Sequence, residues 1–262
     1  MLALIAGTGE LPGIIFEAQA KPPLICALRN NPPDRLTADL VFDLERLGGF
    51  LKALKARGVT RICLCGAVAR PVFNWRRLDL ATICLLPRIV SALKRGDDGA
   101  LRIMITLLEK AGFTVLAAHE LAPDLLLPEG VPTHTQPSEQ TEAEALLGDQ
   151  ISYEQARADL GQACILRGSH VIAREGQGGT DAMLTNLTSG AARGGVFYKA
   201  PKPGQDRRAD LPVIGPATAL ACAQAGLRGV IIEAGGVMLL EHQEVIRRLD
   251  AEGMFLWIRE RP

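Results

Sequence analysis

Across its first half the sequence keeps changing period. Short apolar runs at 2–6, 24–28, 61–65 and 114–118 alternate with helix-like stretches at 12–20, 47–57 and 101–111. Apolar runs of a strand's length, each followed by a helical pattern, are what a buried parallel sheet and its covering helices require, so this half reads as an α/β layer. Between 127 and 139 the pattern stops in a stretch holding three prolines and a glycine, which predicts a linker. Beyond it, 142–159 reads as helix, 163–167 and 170–173 as a hairpin-like pair, and 197–199 as a strand. Helices over 217–225 and 241–252, stopped by Gly226 and Gly253, then alternate with strands at 230–233 and 254–258. The fold class expected is therefore α/β throughout: two α/β domains, 1–130 and 140–262, joined by a Pro-rich linker, with the loop around Asp210 carried by the second.

Composition narrows the function classes. Lys and Arg total 29 against 29 Asp and Glu, a formal net charge of zero, so a nucleic-acid partner is not expected. No run of about 20 apolar residues is free of charge and proline, as a membrane span requires. The stretch 78–93 comes nearest but is broken by Asp79, Pro87 and Arg88; it reads as core, or as an apolar surface offered to lipid. Residues 1–6 lack a charged leader and are interrupted by Gly7, so they read as a first strand, not a targeting segment. The six cysteines stand mostly in apolar runs with no Cys-x-x-Cys pair, which predicts buried thiols in a reducing cytosol. The four histidines lack zinc-site spacing, so no zinc centre is expected.

Four segments could carry chemistry. Gly7-Thr8-Gly9 follows the first strand and precedes a helix, a place where bare backbone amides can meet a phosphate; the alternative is a plain tight turn. Pro12 and Arg29 stand where a dinucleotide fingerprint needs glycine and an acid. Lys94-Arg95-Gly96-Asp97-Asp98 mixes cations with carboxylates, yet either aspartate could simply cap the next helix, and Thr180 or Asp181 in Gly178-Gly179-Thr180-Asp181 could do the same. The densest is 199–215, where Lys199, Lys202, Arg207 and Arg208 accompany Asp206, Asp210 and prolines at 201, 203 and 212. Prolines fix φ and hold long polar side chains at set positions, so this loop predicts a site for an anionic ligand, a hard cation or both.

Taken in order, several stretches resemble the UDP-2,3-diacylglucosamine pyrophosphatases of the LpxI type. They are Leu4-Ile-Ala-Gly-Thr-Gly-Glu-Leu-Pro12, Gly66-Ala-Val-Ala-Arg-Pro71, Arg95-Gly-Asp-Asp98, Ala118-His-Glu120 with Leu125-Leu-Leu-Pro-Glu-Gly130, Gly179-Thr-Asp-Ala-Met183, Lys199-Ala-Pro-Lys-Pro203 with Gln205-Asp206, Asp210-Leu-Pro212 and Glu233-Ala-Gly235. Ala67, Ala69 and Gly178 depart from the pattern, standing where Asn, Ser and Glu are expected. The resemblance implies two domains, a divalent cation such as Mg²⁺, and hydrolysis of UDP-2,3-diacylglucosamine to UMP and 2,3-diacylglucosamine 1-phosphate in lipid A synthesis. Water would attack the phosphorus on the sugar side. It makes Asp210 the residue essential for catalysis, either binding the metal or positioning water, and Asp210 and Asp181 are the expected metal ligands. Gly7, Gly9, Arg70, Asp97, Asp98, Thr180, Lys199, Lys202, Gln205 and Arg208 are the expected substrate contacts. The partner expected is this lipid-linked UDP-sugar, in the cytoplasm, with peripheral contact to the inner membrane and a homodimer both compatible. Polar motifs on both sides of 127–139 predict that both halves contribute.

The residues agree with such chemistry. A pyrophosphate diester carries two negative charges that repel water's oxygen, so its hydrolysis needs cations and an acceptor that orients the nucleophile. Mg²⁺ takes oxygen ligands and few of them from protein, which suits one or two aspartates. The rival reading is a non-catalytic nucleotide-sugar or dinucleotide-binding module resting on Gly7-Thr8-Gly9, and the missing fingerprint residues weaken it.

Overall fold

The computed structural model describes residues 1–69, 74–93, 97–158, 160–188 and 190–261, in two compact units. The first comprises Met1–Pro123 together with Asp206–Asp210; the second comprises Asp124–Gln205 and Leu211–Pro262.

In the first unit the chain runs Leu2–Ala6 (β1), Leu11–Glu17 (α1), Leu24–Leu28 (β2), Leu40–Phe42 (β3), Leu47–Ala56 (α2), Arg61–Cys65 (β4), Leu80–Ile83 (α3), Leu86–Leu93 (α4), Asp97–Lys110 (α5), Thr114–Leu116 (β5) and Ala118–Leu121 (α6). Among the described residues, the strands form one wholly parallel sheet in the order β3-β2-β1-β4-β5. Its core joins Ala3, Cys26 and Ile62 of the strands to Leu47, Phe50, Leu51 and Leu54 of α2 and Ile105 and Leu108 of α5. The α2 positions recur at i, i+3, i+4 and i+7, the stripe that turns one helix face to the sheet. Starting with β1 at the centre and growing outward both ways is the doubly wound arrangement. Such sheets bind ligands beyond the carboxyl ends of their strands, near the switch between the two directions.

The second unit runs Glu139–Arg157 (α7), Ala163–Arg167 (β6), His170–Arg174 (β7), Gly179–Thr185 (α8), Val196–Lys199 (β8), Val213–Ile214 (β9), Pro216–Gln224 (α9), Gly229–Glu233 (β10), Met238–Leu239 (β11), His242–Ala251 (α10) and Phe255–Arg259 (β12). Its main sheet has the order β12-β10-β8-β6-β7, parallel at the β12–β10–β8 side and antiparallel through β6 and β7. Strands β9 and β11 pair separately. Helix α7 lies close on β8 because position 148 is glycine: a Cβ there would fall 2.3 Å from the Tyr198 ring. Next to it, buried Asp149 accepts from the Tyr198 hydroxyl and from Arg259 Nη1, which reaches both carboxylate oxygens at 3.0 Å. Glu144, also buried, pairs with Arg228 and accepts from the Gly168 amide at 2.6 Å.

Several boundaries differ from the sequence expectation. The Pro-rich stretch is stitched to the second unit: Gly130 and Ile258 exchange backbone hydrogen bonds of 2.9 Å, the Leu256 amide donates to Thr133 Oγ1, and the His134 amide donates to Asp250. The division of the chain accordingly falls earlier, after Pro123. The loop around Asp210, assigned from sequence to the second half, has Asp206–Asp210 folded with the first. Helix α7 starts at Glu139 because Ser138 and Thr141 form a capping pair, and α5 starts at Asp97. Cys84 is exposed, unlike the other five thiols.

Candidate active site

At the carboxyl end of β1 the turn Gly7-Thr8-Gly9 lies against the exit of β4. A Cβ on Gly7 would fall 2.2 Å from the Ala67 carbonyl oxygen, so only glycine permits this approach. All three amides of the turn are engaged: Gly7 donates to the Cys65 carbonyl at 2.8 Å, Thr8 to Ala67 at 2.9 Å, and Gly9 to the Asp34 carboxylate at 2.6 Å. The expected bare-amide cradle is thus a staple between two strands, with a carboxylate on the amide an anion would use. Asn31 completes it, donating to the Ala67 carbonyl at 3.0 Å and accepting from the Ala69 amide at 2.9 Å. The alanines at 67 and 69 therefore act through their backbone.

Beside this staple, within the first unit, lies an apolar cavity of about 410 Å³. Ile5, Leu64 and the 65–69 segment form one wall, Leu28 and Phe42 a second, and Ile89, Leu101, Met104 and Leu107 of α4 and α5 a third. Its volume lies within the range of about 300–1,000 Å³ usual for small-molecule sites, and its few polar groups include the carboxylate-bearing residue Asp210. Asp210 and the neighbouring Ala209 line it because the 206–210 segment is pinned to the first unit. Ala209 packs on the unit's core. The Arg208 guanidinium grips Asp206 with two bonds, of 3.0 and 2.8 Å, and also pairs with Glu109 of α5. Arg208, expected to hold phosphate, thus spends its fork on two carboxylates and positions the loop. The same guanidinium holds the Asp206 carboxyl below its usual range.

In the second unit the structure brings Lys199, Thr180 and Asp181 together. Lys199 ends β8 and is buried; its Nζ donates to Thr180 Oγ1 and to the Val213 carbonyl, each at 2.9 Å. Burial pushes its pKa down, and Glu175 and Asp181 oppose that shift. Neither Thr180 nor Asp181 is the N-cap of α8; that position is Gly178, with no side-chain cap, so Thr180 is available to Lys199. Lys202 and Gln205 close a turn, the Lys202 amide donating to Gln205 Oε1 at 3.0 Å and the Gln205 amide to the Lys202 carbonyl at 3.2 Å.

Arg70 lies outside the described residues, and Asp97 and Asp98 open α5 with side chains that also lie outside them. Among the described residues no group of three or more His, Cys, Asp or Glu clusters as metal ligands. One or two carboxylates beside a substrate phosphate still fit the way Mg²⁺ is held, and Asp210 and Asp181 each offer such oxygens. Sequence reasoning missed Asn31, Asp34 and Glu109, whose partners lie 25 to 99 residues away along the chain. No local pattern marks such pairs.

Two family descriptions match in succession: the LpxI N-terminal domain over residues 1–125 and the LpxI C-terminal domain over residues 128–257. The chain is also 35% identical, over 97% of its length and 96% of the other's, to the UDP-2,3-diacylglucosamine pyrophosphatase LpxI of Caulobacter vibrioides. The chain belongs to the LpxI family. Within its LpxI C-terminal match, residues 206–210 are those that fold with the unit formed by the LpxI N-terminal match. Among the described residues of this LpxI chain, no helix is long and apolar enough to cross a membrane.

Proposed function

We propose that this chain hydrolyses the pyrophosphate bond of UDP-2,3-diacylglucosamine, the substrate in the name of its Caulobacter relative, and releases UMP and 2,3-diacylglucosamine 1-phosphate. The observation that carries this reading is the pairing of Asp210 with the apolar cavity of the first unit. A substrate with two acyl chains and a pyrophosphate needs an apolar volume next to a carboxylate that can handle water. A non-catalytic nucleotide module needs neither, and its cradle at Gly7-Thr8-Gly9 is occupied by the chain's own acceptors.

In this reading the cavity takes acyl chain, and Asp210 orients the attacking water and accepts its proton. Water's oxygen bonds to the sugar-side phosphorus, the bond from that phosphorus to the bridging oxygen breaks, and UMP leaves with the bridge. Arg208, through Asp206 and Glu109, holds the segment that carries Asp210. Lys202 is the cation proposed for the phosphates, while Lys199 is tied to Thr180 and the Val213 carbonyl. A divalent cation such as Mg²⁺, held by Asp210 or Asp181, would neutralise phosphate charge.

The test is UMP release from UDP-2,3-diacylglucosamine, with and without Mg²⁺. Cation-dependent release abolished by EDTA is expected. Full activity after exhaustive metal removal would overturn the cation assignment alone, and absence of UMP under every condition would overturn the hydrolase reading.

A further inference from the structure

Outside this site, the most distinctive surface is on α7. Its inward face buries Thr141, Glu144, Ala145, Gly148, Asp149 and Ile151. Its outward face carries Glu142, Leu146, Gln150, Tyr153 and Arg157, spaced by four, four, three and four residues, so they form one stripe along the helix. Leu146 is 56% exposed and Tyr153 46%, although both are large and apolar enough to be worth burying. A shallow depression of about 610 Å³ opens beside them, floored by Asp149 and Arg261. The Arg261 guanidinium stacks on the Tyr153 ring at 5.1 Å from its centroid and holds that ring in place.

We propose that this stripe is a self-association surface on which two copies of the chain pair with their α7 helices antiparallel about a two-fold axis. The order of the residues carries the argument. A two-fold placed midway between Asp149 and Gln150 sets Leu146 of one copy opposite Tyr153 of the other. That same axis sets Glu142 opposite Arg157, so both ends close with opposite charges. Parallel pairing would set Glu142 on Glu142 and Arg157 on Arg157, which like-charge repulsion disfavours. Antiparallel helices also oppose their macrodipoles favourably. A two-fold contact must be self-complementary, and this stripe is, in both its apolar and its charged positions. The ring held by Arg261 is a rigid aromatic anchor of the kind that dominates interfaces.

Sedimentation velocity of the full chain over a concentration series tests this, with melting temperature checking that each variant folds. A dimer is expected. Leu146→Glu should convert it to monomer. Glu142→Arg and Arg157→Glu should each raise the dissociation constant about tenfold, because every pair occurs twice across the axis. The double variant Glu142→Arg/Arg157→Glu should restore the parental constant. A parental chain that stays monomeric up to its solubility limit overturns the proposal. So does a dimer indifferent to Leu146→Glu, or a double variant no better than its singles. A monomer whose binding to anionic phospholipid vesicles is lost in Leu146→Glu would assign the face to lipid instead.

Discussion

The two units differ in what their interiors leave unfilled. In the second, Glu144, Asp149 and Lys199 are buried, and each is tied to partners on other elements: Arg228, Tyr198 with Arg259, and Thr180 with the Val213 carbonyl. Its α7 sits so close to β8 that only glycine fits at position 148. The first unit has an all-parallel sheet and apolar helices, yet leaves about 410 Å³ unfilled between them. Unfilled apolar volume costs stability in proportion to its size, so such a space is expected where a ligand fills it. The comparison separates two tasks: the second unit is built for rigidity, while the first reserves room and receives Asp210 beside it.

If that division holds, damage to the two units should be read out differently. The largest effect is expected from Asp149→Ala, which strands Arg259 and the Tyr198 hydroxyl and should cost about 3–5 kcal/mol, the usual result of removing one partner from a buried pair. Denaturant unfolding measures this, and the protein that remains folded should turn over at the parental rate. Asp210→Ala should do the reverse, lowering kcat at least about 100-fold with substrate binding largely kept and melting temperature unchanged. Lowered stability with near-parental turnover would instead make Asp210 a structural residue.

Met104→Trp, which fills the cavity, sharpens the contrast within the first unit. Thermal stability should rise, as cavity filling commonly adds about 0.5–2 kcal/mol. At the same time kcat/KM for the diacylated substrate should fall about tenfold, while a UDP-sugar without acyl chains should be unaffected. Unchanged kcat/KM for the diacyl substrate would detach the cavity from acyl binding.

The smallest effect expected is a dependence on pH. His119, in α6, has a buried Nδ1 with no partner among the described residues, and burial pushes its pKa below the usual 6.5. The folded state therefore favours neutral imidazole. Its contribution to stability is complete above pH 6.5 and is lost as pH falls from there toward the lower folded value. The melting temperature of His119→Gln should accordingly fall less than the parental value between pH 7 and pH 5. A parallel decline in both proteins would assign the acid sensitivity elsewhere.

Much of this molecule could be read from local pattern. The strands at 2–6, 24–28 and 61–65 follow from apolar runs of the right length, and Gly226 and Gly253 do mark the ends of α9 and α10. The role of Thr180 is less legible: the sequence leaves it either a cap or a substrate contact, and that it meets Lys199, 19 residues on, follows only because β8 and α8 adjoin in the folded unit. From sequence Arg208 is expected to hold phosphate because a pyrophosphate needs cations to neutralise it. That Glu109 would lie within its reach depends on α5, 99 residues earlier in the chain.

The sequence by itself determined which segments become strands and helices, because side-chain period and glycine placement act within a few residues. It also determined, through ordered motifs spread from end to end, the family to which the chain belongs. Only the tertiary structure decided that Asp206–Asp210 leaves its neighbours in sequence to fold with the first unit, that the amides of Gly7-Thr8-Gly9 are engaged, and that an apolar cavity lies beside Asp210. The reason is physical: a cavity, a salt-bridged anchor and an engaged amide each depend on groups tens of residues apart in the chain, and their energy exists only once packing has brought those groups within a few ångströms.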